Sequence, residues 1–146
     1  MSDEQAEWLL MVDGAARGNP GDGGCGAAIC DESGAVVKDL SRYLGSTIDN
    51  VEEYQGLLMG LDALIQLGRK KIRVQSDSQL LVRQLYLNSE YRVIDEKLKV
   101  LCQRALTWLR QFDSYRILHV YREMNKVADR LANRGIDEAS RRLTAG

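Results

Sequence analysis

A chain of 146 residues, 45% hydrophobic and 28% charged, has ordinary globular composition and is long enough for one domain with a buried core that needs no disulfides or structural metal. Its formal net charge of −1 and pI near 5.9 exclude a broadly basic surface, so any nucleic-acid partner must be held by local charge. Cys25, Cys30 and Cys102 without CxxC spacing, a single His119, and no apolar run near the roughly 18 residues of a membrane span argue against a zinc site, a disulfide framework and membrane contact; the expectation is a cytoplasmic protein.

The first strand is EWLLMVDG, residues 7–14, whose unbroken apolar run predicts a central position covered on both faces. GGCGAAICD and AVVKDLSRYL flank the turn signal Glu32-Ser33-Gly34, which predicts an antiparallel hairpin. From Asn50 to Leu67 apolar residues recur at helical spacing, with Asp49 or Asn50 as N-cap and Gly68 as the stop. KIRVQSD reads as a strand, SQLLVRQLYLN as a short helix, and residues 96–112 as a longer helix. YRILHVY, residues 115–121, reads as a strand, and NKVADRLANRG as a last helix stopped at Gly135.

This order predicts a single α/β domain over residues 1–146: a mixed sheet with helices on its faces, an ordered core over about 7–138 and a frayed tail over 140–146. A charge ending a buried strand is costly unless paired or metal-bound, and Asp13 and Asp77 both end predicted strands, where ligands collect in open sheets. Ser76-Asp77-Ser78-Gln79 also carries N-cap chemistry, with Ser76 and Gln79 at capping-box spacing. On the first helix, 100° per residue puts Glu53 at the flank of the stripe through Leu57 and Leu61 and turns Glu52 almost directly away. Asp129 lies off the apolar stripe of the last helix, so the wheel does not select it.

Four stretches in order carry a family resemblance. MVDGAARGNPGDGGCGAAI resembles the first strand and turn of type 1 ribonucleases H, DNVEEYQGLLMGL their Asn-x-x-Glu-Tyr/Leu segment, VQSDSQLLVRQL their next strand and turn, and HVYREMNKVADRLANRG the ending of the archaeal and plant-like branch. The matches span residues 8–135. The family's Thr-Asn-Asn is here Thr47-Ile48-Asp49-Asn50, Tyr121 replaces a common Pro, and there is no room near residues 88–95 for the basic extra helix of some members.

The resemblance implies a ribonuclease H-like fold, a five-stranded mixed sheet with three antiparallel N-terminal strands, two parallel strands and helices on both faces. It implies Asp13, Glu53, Asp77 and Asp129 as the acids holding two Mg²⁺ or Mn²⁺ ions, with Asp13 bridging, Glu53 and Asp77 on one side and Asp129 on the other. The implied reaction is endonucleolytic hydrolysis of the RNA strand of an RNA–DNA hybrid, leaving 5′-phosphate and 3′-hydroxyl ends, by a monomer with no obligatory protein partner. Gly14, Asn50 and Gln79 are the implied contacts to sugars and base edges, Arg17 a candidate phosphate contact, and Arg122 a cation assisting catalysis. His119, inside the apolar run ILHVY, is expected to pack structurally on the face of Ile117 and Tyr121. Two other readings stay open: a noncatalytic ribonuclease-H-like binding module, and a proofreading-type exonuclease, whose usual Asp-x-Glu is absent from Asp13-Gly14-Ala15.

Overall fold

A computed structural model describes residues 6–18, 20–47, 50–86 and 95–145. The strands are β1 (Glu7–Gly18), β2 (Gly21–Cys30), β3 (Val36–Thr47), β4 (Lys71–Ser76) and β5 (Ser114–His119), and the helices are α1 (Val51–Gln66), α2 (Gln79–Tyr86), α3 (Glu96–Leu109) and α4 (Lys126–Ala145). They form one sheet in the order β3-β2-β1-β4-β5. The three N-terminal strands pair antiparallel, and β4 and β5 join them in parallel, as the sequence order predicts.

β1 is central because its apolar run has two faces to fill. Leu10 and Val12 are fully buried on the face covered by α1, together with Leu57, Leu61 and Leu64 of that helix and Ile72 and Val74 of β4. Each such side chain contributes about 1.5–3 kcal/mol when withdrawn from water. The hairpin turn forms where Glu32-Ser33-Gly34 predicts it, with the Asp31 carboxylate accepting from the Ser33 and Ala35 amides at 2.9 and 3.1 Å. Asp95 caps α3 by accepting from Leu98 N at 3.1 Å. All three cysteines are buried free thiols.

α4 covers the opposite face through Ala128, Leu131, Ala132, Ile136 and Ala139, all buried. It runs so close to the sheet that a Cβ on Gly26 would lie 2.5 Å from Ala132 N and 2.6 Å from Ala128 O. Gly135 does not stop this helix, contrary to expectation. Its missing side chain admits β3 instead, since a Cβ there would lie 2.6 Å from Arg42 O. The helix therefore continues through residues 136–145, across the segment expected to fray. β5 also ends earlier than predicted, at His119, and Arg122–Met124 form a 3₁₀ turn before α4. Among the described residues no helix is long and apolar enough to cross a membrane.

Candidate active site

β1 and β4 run parallel with Met11 beside Gln75, so carrying that register two residues further sets Asp77 level with Asp13 just beyond the hydrogen-bonded ladder. This is the carboxyl edge of the sheet, where the chain leaves both strands and the crevice between them opens. Asp13 is buried, with its Oδ1 accepting from the Gly14 amide at 2.9 Å. Asp77 escapes capping duty, because Ser78 Oγ accepts from Leu81 N at 3.1 Å and Ser76 Oγ from Ser78 N at 3.0 Å. The capping pair expected from spacing, Ser76 with Gln79, is thus replaced by serines on either side of the acid.

α1 brings the third carboxylate. Asn50 enters the helix in the left-handed region at φ 62°, offers no side-chain cap, and accepts from Glu53 N at 3.2 Å through its carbonyl. Asp49, the alternative cap, lies outside the described residues. Gly14 lets this helix end close on β1: a Cβ there would stand 2.5 Å from Glu52 Cγ and 2.7 Å from Glu53 N. Asp13, Glu53 and Asp77 each present an oxygen to a cluster in which all three lie within 4.8 Å of one another. Asp129, in the first turn of α4, comes within hydrogen-bonding reach of the Asp13 carboxyl.

Burial, and after it crowding, raises proton affinity here. Burial, and then the charges of Asp77 and Asp129, push the Asp13 carboxyl up to about 8 against the partial relief of the Gly14 amide. Glu53 is held well above the ordinary range by burial first, then by Asp13, Asp77 and Glu52. Its Oε2 is buried with no hydrogen-bond partner. Carboxyl oxygens massed in this way, one of them unsatisfied, match the donor set that hard divalent cations prefer once the protons are displaced. The residues present fit such an ion.

The surrounding cleft, of about 600 Å³, is lined by the four acids and by Gly14, Gln79, His119, Arg122 and Asn133, among others. Gly14, Gln79 and Arg122 thus face it as the resemblance implies, whereas Asn50 and Arg17 are not in its lining. Arg17 instead pairs with Asp137 at 2.8 Å and donates to Asn133 Oδ1 at 3.2 Å. His119 is exposed, contrary to the expected packing; it ends an edge strand beyond the last buried residue, Ile117, with its ring edge-on to Tyr121 at 6.1 Å. Glu52 is buried rather than turned to solvent, because β1 reaches over the start of α1 where the helical wheel sees no neighbour. Two residues that sequence reasoning passes over are Asn125, fully buried with Nδ2 donating to Val12 O at 2.8 Å, and Asn133. The resembled segment contains both, yet nothing in their spacing distinguishes them from cap and surface asparagines.

Comparison with known proteins decides the family. Residues 11–135 match the family described as Reverse transcriptase-like. A ribonuclease H of Pseudomonas fluorescens is 30% identical over 150 residues, covering 94% of this chain and 95% of that protein. The chain belongs to the ribonuclease H family. Ribonuclease HI of Halobacterium salinarum is 35% identical across 87% of this chain, which spans 63% of that protein. A bifunctional protein of Mycobacterium tuberculosis is 35% identical across 94% of the chain, which spans 37% of its length. Its N-terminal RNase H domain, solved as a fusion with maltose binding protein, superposes with a TM-score of 0.87 at 33% identity, covering 95% of this chain and 99% of that one. LC11-RNase H1, solved in complex with an RNA/DNA hybrid, gives 0.83 at 34% identity, covering 91% and 99%.

Proposed function

We propose that this ribonuclease H family member cuts the RNA strand of an RNA–DNA hybrid internally, leaving 5′-phosphate and 3′-hydroxyl ends, and does so as a monomer. The observation that carries the reading is the convergence of Asp13, Glu53 and Asp77 within 4.8 Å at the open edge of the sheet. Asp13 would hold two Mg²⁺ or Mn²⁺ ions in common, with Glu53 and Asp77 on one and Asp129 on the other. Bound there, the ions supply Lewis acidity at the scissile phosphate and neutralise the charge that develops on the attacking and departing oxygens.

The chain's own residues do the rest. Gly14 lines the cleft beside Asp13, its missing side chain admitting the start of α1 that carries Glu53, and Gln79 offers both ends of its amide to a sugar or base edge there. Discrimination follows from the 2′-hydroxyl, which the RNA strand alone presents. Arg122, which lines the cleft, is placed to hold a phosphate in its planar fork. All four acids and Arg122 come from one chain, which supports action as a monomer.

The test is incubation of a short hybrid, labelled on its RNA strand, with Mg²⁺, with Mn²⁺ and with chelator, beside the Asp77→Asn variant. Internal RNA cuts that require the metal and vanish in Asp77→Asn are expected. Hybrid binding without cleavage would favour the noncatalytic module instead.

A further inference from the structure

Asp129 is the acid that stands apart from the three-carboxylate cluster, and a short relay along α4 bears on it. Asn133, one turn further on, donates from Nδ2 to the Asp129 carbonyl at 3.1 Å and to Asp129 Oδ1 at 3.4 Å. Its Oδ1 accepts from Arg17 at 3.2 Å, across a separation of 116 residues. Arg17 is anchored in turn on Asp137 at 2.8 Å. Asn133 is half-buried and itself lines the cleft.

The direction of this relay follows from donor chemistry. A side-chain amide has one acceptor end and one donor end, and either could face the carboxylate. A guanidinium has five donors and no acceptor, so the amide end that faces Arg17 must be the oxygen. The NH₂ is then left for Asp129, where its two hydrogens serve the carbonyl and one carboxylate oxygen. Turned the other way, the amide would set its oxygen against the Asp129 oxygens and its NH₂ against a guanidinium that has no lone pair to accept it.

We propose that Asn133 is a positioning residue for Asp129, and that Arg17, clamped by Asp137, works by fixing the orientation of the Asn133 amide. The amide restrains one carboxylate oxygen of Asp129 and leaves the other to a cation that Asp13 and Asp129 would hold. The inference rests on the reading of the four acids as a divalent-cation site, and it assigns Arg17 a task other than holding phosphate. Groups that orient a metal's ligands commonly change its affinity by 10–100-fold when removed.

The test is calorimetric titration of the whole chain with Mn²⁺, for the unaltered protein and for Asn133→Leu, Arg17→Gln and the double variant. Asn133→Leu keeps a side chain of similar size, and its Kd should rise about tenfold. Arg17→Gln removes a positive charge, which by simple electrostatics tightens cation binding; the relay requires the opposite, a severalfold weaker Kd, because glutamine can present either end to Asn133. The double variant should be no weaker than Asn133→Leu alone, since both changes act through one bond. In parallel, the Asn133 side-chain amide resonances should shift in Arg17→Gln without any metal present, and Arg17→Lys, still a pure donor, should restore both readouts. Equal Mn²⁺ affinity in the unaltered chain and Asn133→Leu overturns the inference. So does an Arg17→Gln variant that only raises KM for the hybrid, which returns Arg17 to phosphate binding. Failure of the unaltered chain to bind Mn²⁺ at all overturns the metal-site reading itself, and the inference with it.

Discussion

Asn125 Nδ2 donates to the Val12 carbonyl at 2.8 Å, tying the start of α4 to the strand residue that precedes Asp13. The same asparagine accepts from the Asp129 amide through its own carbonyl at 3.1 Å. One fully buried residue thereby sets the separation of two carboxylates that are 116 positions apart in the chain. Replacing it with alanine leaves the Val12 carbonyl buried without its partner, at a cost of about 1–3 kcal/mol. Asn125→Ala should melt several degrees lower and lose hybrid cleavage more steeply than that stability loss explains. Thermal melting and turnover measured well below the melting point check this; full turnover would show that Asp129 is placed without it.

Gly14 makes an equally sharp prediction at the other end of the site. An alanine Cβ would meet Glu52 and the backbone of Glu53 at 2.5–2.7 Å, and backbone cannot swing aside as a side-chain tip can. Overpacking of this kind costs about 1–3 kcal/mol, and here the relief is to push α1 off β1, carrying Glu53 from Asp13. Gly14→Ala should therefore weaken Mn²⁺ binding as well as stability. A variant that melts lower but binds Mn²⁺ normally would separate the packing role from the site.

The raised carboxyls predict the direction of the pH dependence. Asp13, ordinarily near 3.8, is held up to about 8, and Glu53 stands well above its ordinary 4.5. Between these values the folded protein keeps protons that the unfolded chain has released, so their contribution to stability is full below about pH 4 and is lost as pH rises through about 8. In chelator, the melting temperature should fall across that window, and Asp13→Asn should flatten the fall. Mg²⁺ or Mn²⁺ should restore stability most at the alkaline end, where the ligands are charged and repel one another. A slope unchanged by Asp13→Asn would mean that other groups carry the dependence.

How far the sequence reveals these features depends on the range of the interaction. β1 is legible because its apolar run is a local pattern, and Asp13 because a charge at its end demands a reason. The hairpin is legible in Asp31 to Gly34, where turn chemistry lies within five residues. Glu53 and Asp129 are different: periodicity prefers Glu53 to Glu52 only as a flank residue and gives no reason to choose Asp129, so the family resemblance is what makes site residues of both. A helical wheel knows one helix and turns Glu52 to solvent, whereas the strand that buries it arrives from residue 14. Gly135 looks like a helix stop for the same reason, since its use is to admit Arg42 of β3. The orientation of Asn133 depends on Arg17, and no spacing rule reaches across that gap.

Two candidate assistants line the cleft beside the acids. Arg122 opens the 3₁₀ turn and lines the cleft, and His119 lines it too from the end of β5. The exposure of His119 removes the expectation that its loss mainly costs stability, since exposed substitutions usually stay within about 0.5 kcal/mol. Its ring rests edge-on to Tyr121, which is itself 76% exposed, so neither aromatic anchors the core. A guanidinium, in contrast, presents a planar fork that matches two phosphate oxygens at once. Arg122→Ala should therefore lower turnover by at least tenfold, about 1.4 kcal/mol of barrier, with an unchanged melting temperature. Arg122→Lys should recover part of the loss, because it restores the charge and not the fork. His119→Ala should melt normally and turn over within a few-fold of the parent. Steady-state turnover and melting curves for the three variants decide the matter: a tenfold loss in His119→Ala beside a normal Arg122→Ala transfers the assisting role to the imidazole.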